Sequence, residues 1–226
     1  MMNEKRRMVL KGMALGGFAS MGAGLSHTVM AAGASATGKP LFVLVNESLS
    51  KSAFIKGVAA ASKAPVKTVM ANKSLEFVKA LQAHLAASNG VRMVGLTDDA
   101  SAALIIDLAR SAGARINWIG QHAVGLKQSI HSLSTVDSTR HCTVELARNL
   151  QQCGQAFTLN EAYGHAPSGL SLTLSGNGQA VTQQWMANLG YSLVAPNRMD
   201  AAVALPKNIN SVSPESGHFV SFSIEI

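Results

Sequence analysis

The sequence predicts an α/β fold: one domain built on a largely parallel, doubly wound (Rossmann-like) sheet, with the C-terminal strand as an antiparallel edge. Three observations carry that expectation. Short apolar runs of strand length alternate with segments of helical period from Leu41 to Ile119. The stretch Val91 to His122 spells strand, capped helix and second strand, a βαβ crossover beside which the earlier elements can be laid as one sheet. The last residues, Phe219 to Ile226, alternate apolar and polar side chains as a half-exposed strand does.

Taken in order, Leu41 to Val45 is a continuous apolar run that exits into Asn46-Glu47-Ser48, as the carboxyl end of a buried parallel strand would. Ser50 or Ser52 can cap the helix that follows, whose apolar face is Phe54, Ile55, Val58 and Ala59. Pro65 precedes the next strand, Val66 to Met70. Ser74 caps a second helix in which Leu75, Val78, Leu81 and Leu85 recur at three- and four-residue steps before Asn89-Gly90 stops it. In the crossover itself, Val91 to Leu96 is apolar, Thr97-Asp98-Asp99 supplies capping oxygens, Gly113 ends the helix, and Arg115 to Ile119 leads to Gly120-Gln121-His122.

Beyond His122 the pattern weakens. Ala123 to Arg140 is Ser-rich without clear period and reads as a long loop, and His141 to Cys153 reads as a helix with Leu146 and Leu150 in its stripe. Leu170 to Leu174 is a strand leading into Gly176-Asn177-Gly178, a turn that lacks the third glycine of a dinucleotide-binding loop. Val181, Trp185, Met186 and Leu189 mark a helix closed by Gly190, and Tyr191 to Ala195 and Ala201 to Leu205 are further strands.

The chain opens with Lys5-Arg6-Arg7-Met8-Val9-Leu10-Lys11 and a weakly apolar, Gly- and Ala-rich run from Gly12 to Ala34. It resembles a twin-arginine (Tat) signal peptide in the arginine pair, the apolar Val9-Leu10 and the trailing Lys11, with Lys5 and Val9 departing from the commonest residues at their positions. The resemblance covers residues 1–36, leaving 37–226 as the single α/β domain. Ala32-Gly33-Ala34 and Ala34-Ser35-Ala36 offer cleavage sites that would start the mature chain near Thr37, and an uncleaved anchor is the other reading of the run. The resemblance implies a periplasmic protein that folds before export, uses the Tat translocase, and often travels with a cofactor or a partner subunit. If cleaved, it has no stable membrane association.

Composition narrows the partners. Lys5, Arg6, Arg7 and Lys11 supply part of the formal charge of +7, and seven lysines from Lys39 to Lys79 supply most of the remainder. Arginine clusters interleaved with aromatics are missing, which argues against nucleic acid. Cys142 and Cys153 fall on one helix about 16 Å apart, too far to bridge while the helix is intact.

The polar exits of three predicted strands define a candidate ligand-binding rim: Asn46, Glu47 and Ser48; Thr97, Asp98 and Asp99; Gln121 and His122. Ligands of open parallel sheets bind at such carboxyl ends. The leading expectation is a non-catalytic exported protein, either binding a small polar ligand there or serving as accessory subunit of an exported redox enzyme. A periplasmic hydrolase using Ser48, His122 and Asp98 is the alternative, although no Gly-x-Ser-x-Gly elbow is present. A metal- or haem-binding protein is a second alternative, drawing on His122, His131, His141, Cys142, Cys153, His165 and His218. No pair of these has the spacing of a known ligand motif, and neither a cofactor nor a metal set is assigned.

Overall fold

The structure, a computed structural model, describes residues 41–87, 90–136, 140–152, 154–163, 170–176, 183–195 and 216–226. Among the described residues eight strands form one mixed sheet: β1 (Leu41–Val45), β2 (Val66–Met70), β3 (Arg92–Thr97), β4 (Arg115–Val124), β5 (Gln128–Thr135), β6 (Ala156–Tyr163), β7 (Ser171–Leu174) and β8 (Gly217–Glu225), in the order β2-β1-β3-β8-β4-β5-β6-β7. β1 pairs in parallel with β2 and β3, and β5 with β6. The β3–β8, β8–β4, β4–β5 and β6–β7 pairs are antiparallel.

The sheet is therefore not the largely parallel, doubly wound sheet that the sequence predicts. The β3–helix–β4 crossover leaves a gap one strand wide, and β8 fills it, so β3 and β4 run the same way but pair with β8 instead of each other. The last strand is antiparallel and central, not an edge. Its alternation misleads because both of its faces are buried: Val220, Phe222 and Ile224 point to one side, and Ser221 and Ser223, each 0% exposed, point to the other.

Helices α1 (Ala53–Ala61), α4 (Arg140–Gln152) and α5 (Gln184–Val194) cover one face, where Val43, Val45, Phe54, Trp118, Phe157 and Leu189 share a core. Helices α2 (Leu75–Ala87) and α3 (Asp99–Ser111) cover the other, with Phe42, Leu44, Phe77, Leu81, Ile105 and Phe222 between them and the sheet. That second layer does not extend over β5, where Gln128, Ile130, Ser132 and Ser134 are exposed.

Two further expectations change. Ala123 to Arg140 is not a long loop: β4 continues to Val124 and turns into β5, which runs from Gln128 to Thr135, and α4 starts at Arg140. Tyr191 to Val194 is helix, not strand. Gly190 does not end α5 but lets it approach α1 closely: a Cβ there would strike the Phe54 carbonyl oxygen, and one on Gly57 would overlap the Ala187 carbonyl. The predicted strand Ala201–Leu205, Asn177-Gly178 and Val181 lie outside the described residues, as do residues 1–40, Cys153 and His165.

Candidate functional site

At the carboxyl ends of β1 and β3 the rim residues from the two strands do meet. The Asp98 backbone N–H donates to Asn46 Oδ1 at 3.0 Å, and Asn46 Nδ2 donates back to Asp98 Oδ2. Asp98 is also the cap of α3, accepting from the Ser101 N–H at 2.8 Å through Oδ1 and from the Ser101 hydroxyl at 3.0 Å through Oδ2. Burial alone would raise this carboxyl, but the Ser101 and Asn46 hydrogen bonds outweigh it and, with the Lys73 charge, hold it below the ordinary range. Both Asp98 oxygens are thus engaged within the protein. Glu47, Ser48 and Asp99 are exposed around this pair, and Thr97 is 0% exposed with its hydroxyl donating to the Asp98 carbonyl at 3.2 Å.

Gln121 and His122 are not a strand exit, since β4 runs on to Val124. Gln121 and Thr97 both pair with Val220, so they stand at one height on either side of β8. Gln121 is exposed, whereas His122 turns into the core on the face beneath α5. Its imidazole belongs to a buried chain of hydrogen bonds. Trp118 Nε1 donates to Ser221 Oγ at 2.9 Å, Ser221 Oγ meets His122 Nε2 at 2.8 Å, His122 Nδ1 meets His131 Nδ1 at 2.8 Å, and His131 Nε2 meets Ser129 Oγ at 2.9 Å. Ser129, His131 and Ser221 are 0% exposed and His122 is 1% exposed.

The ring of Trp185 roofs the pair, its centroid 5.3 Å from that of His122 and 5.4 Å from that of His131. Gly120 provides the floor, because a Cβ there would lie 2.6 Å from Ser221 Oγ and 2.9 Å from His122 Nε2. Desolvation pushes His122 well below the ordinary imidazole range, with the neighbouring His131 adding to it, and lowers His131 to about 4. Both rings are neutral at neutral pH. Two tautomer patterns satisfy every link: Ser221 donates to His122 and the chain ends on Ser129, or Ser129 donates to His131 and the chain ends on Ser221.

A second buried polar group lies at the start of α4. Glu161, 6% exposed, accepts the Thr135 hydroxyl at 2.6 Å and the Thr143 hydroxyl at 2.7 Å on the same oxygen, Oε1. Arg92, at the opposite end of the sheet, donates Nη1 to the Val194 carbonyl at 3.2 Å, Nη2 to the Leu193 carbonyl, and Nε to Ser223 Oγ at 3.3 Å. A fixed cation there complements the C-terminal dipole of α5.

These contacts bear on the chemistry available. Both ring nitrogens of His122 are occupied by Ser221 and His131, and Asp98 is committed to Asn46 and Ser101, while Ser48 stands exposed on the rim. No Ser48–His122–Asp98 relay is assembled in this arrangement. Among the described residues no three His, Cys, Asp or Glu side chains cluster as a metal would need. Open space lies elsewhere: a cleft of about 410 Å³ at the carboxyl end of β4 is lined by Ala123, Val124, Gly125, Gln128, Ile130, Gly217 and His218. Sequence reasoning missed it because its walls come from the β4–β5 hairpin, hidden in a segment without period, and from the first residues of a strand placed at the edge. No protein-family model, curated protein or solved structure matches the chain.

Proposed function

We propose that the protein is an exported, non-catalytic binding protein that takes a small ligand in the cleft at the carboxyl end of β4. One contrast carries the reading: His122, His131 and Asp98 are saturated by partners inside the fold, while the cleft is open and mixed in character. Ala123, Val124 and Ile130 offer apolar contact, and Gln128 and His218 offer hydrogen-bonding atoms. Its volume of about 410 Å³ falls within the range of about 300–1,000 Å³ that small-molecule sites occupy. Export rests on the Arg6-Arg7 segment and the mild run behind it. Among the described residues no helix is long and apolar enough to cross a membrane.

Native mass spectrometry of protein recovered from the periplasm tests this. The expected result is an adduct of small mass, released on denaturation and lost in Ala123→Trp, which fills the cleft. An adduct retained in that variant puts the ligand elsewhere. A turnover activity abolished by His122→Gln in a folded protein overturns the non-catalytic reading.

A further inference from the structure

Among the described residues, β2 is one of the two outer strands of the sheet, with β1 as its one neighbour, and β7 is the other. The phase of its backbone follows from its two ends. The Leu41 N–H donates to the Pro65 carbonyl at 2.9 Å, and the Ala71 N–H donates to the Val45 carbonyl at 2.8 Å. Pro65 and Ala71 therefore face β1, and in a parallel ladder alternate residues do the same, which assigns Lys67 and Val69 to the β1 side. Val66, Thr68 and Met70 must then direct their N–H and C=O groups outward. These are three donors and three acceptors in a row, with neither proline nor bulge inside the strand to blunt them.

Lysines outnumber carboxylates around this edge. Lys63 stands in the turn before β2, Lys67 within it and Lys73 in the turn after it, and all three are exposed. Lys67 rides over the Phe42 ring at 5.4 Å, which anchors its stem beside the strand. Over residues 41–87 six lysines face two glutamates, Glu47 and Glu76. Two copies pairing through β2 would set lysines against lysines, so the edge is guarded against its own kind. A strand carrying carboxylates meets no such barrier. Met70, 44% exposed, and Leu75, 61% exposed, add apolar contact at the carboxyl end.

We propose that the open edge of β2 docks an extended, carboxylate-bearing segment of a partner protein, which adds a strand outside β2. Backbone hydrogen bonds to Val66, Thr68 and Met70 supply the pairing, and Lys63, Lys67 and Lys73 select acidic side chains. This mode suits a subunit that travels with a partner, and it does not depend on the cleft being a ligand site.

Backbone hydrogen exchange on the purified protein tests it, with an acetylated octapeptide of alternating Glu and Val as probe. In the free protein the Val66, Thr68 and Met70 amides should exchange at least about 100-fold faster than those of Lys67 and Val69. The peptide should slow the first three, and a Lys–Val octapeptide should not. Thr68→Pro removes an outward donor without touching a bond to β1 and should abolish the effect. Reversing Lys63, Lys67 and Lys73 to Glu together, in a variant whose thermal midpoint shows that it is folded, should weaken peptide binding by at least about tenfold. Protection of Val66, Thr68 and Met70 in the free protein overturns the proposal, since the edge is then already covered. So does peptide binding indifferent to the lysine reversal. Phosphatidylglycerol vesicles that displace the peptide, and bind equally well to Thr68→Pro, would make the surface a lipid contact and refute strand addition.

Discussion

Lowering the pH should strike the buried imidazole pair first. His131 is held at about 4 against an ordinary value of 6.5, and His122 is displaced in the same direction by burial and by His131. In the unfolded chain both rings titrate normally, so between these values the unfolded state binds more protons and stability rises with pH. The stabilisation is fully present above about pH 6.5 and drains away as the pH falls to about 4. At about 1.36 kcal/mol per pH unit, His131 alone accounts for about 3 kcal/mol, a large share of an ordinary domain's stability. The network also limits how protons load. One extra proton can be held with every link satisfied, Ser221 and Ser129 both accepting; a second would set an Nδ1–H against an Nδ1–H across 2.8 Å.

Urea unfolding at a series of pH values reads this out, and fluorescence is a fitting probe because Trp185 lies against both rings and Trp118 hydrogen-bonds to Ser221. The informative variant is His131→Asn, whose amide can still donate toward His122 Nδ1 but does not titrate. It should lose about 1–3 kcal/mol at neutral pH, from the Ser129 hydroxyl left without its partner and the ring contact with Trp185. Its stability should then fall less steeply than the parent's between about pH 6.5 and about pH 4.5. A parent whose stability is flat across that interval, or a variant that keeps the full slope, refutes the reasoning.

Gly57→Ala should destabilise by at least about 2 kcal/mol, because the added methyl meets the Ala187 backbone and α1 and α5 must separate; a thermal midpoint unchanged within error would show that the two helices do not cross so closely. Asp98→Ala should cost about 1 kcal/mol through loss of the α3 cap. Because the Asp98 carboxyl is held below its ordinary 3.8, its contribution is present above that value and lost as the pH falls below it, which the same urea series reads as a smaller loss of stability in the variant at the acid end. Changing Arg6 and Arg7 together to Lys should stop export of a prefolded reporter fused behind residue 36, as assayed by fractionation; undiminished export sinks the twin-arginine reading.

What could be read in the sequence was the apolar part. β1, β2, β3 and the helices among them have runs and stripes that face an apolar core on at least one side, and their bounds follow from Leu41–Val45, the Leu75–Leu85 stripe and the Asp98 cap. The rim pairing of Asn46 with Asp98 was legible for the same reason, since two parallel strands with polar exits bring those exits together. β5 was not legible because its pattern is inverted. In Gln128–Thr135 the buried positions are Ser129, His131, Leu133 and Thr135, and the aliphatic Ile130 is 44% exposed. Periodicity reports burial only where burial selects apolar side chains.

The same inversion explains why the sheet's topology could not be inferred. β8 reads as half-exposed because Ser221 and Ser223 alternate with Val220, Phe222 and Ile224, and a half-exposed strand belongs at an edge. Those serines are buried because partners wait for them: Trp118 and His122 for Ser221, Arg92 for Ser223. Each partner is supplied by a neighbour of β8, Arg92 from β3 on one side and Trp118 and His122 from β4 on the other. The polar face of the last strand is thus matched to the one gap where both neighbours can satisfy it, and placed at the β2 edge it would bury nothing there to repay its hydroxyls. Hydrogen bonds from Trp118 and His122 to Ser221, and from Arg92 to Ser223, thus tie the C-terminal strand to both neighbours in the gap where it joins β1–β3 to β4–β7 in one sheet.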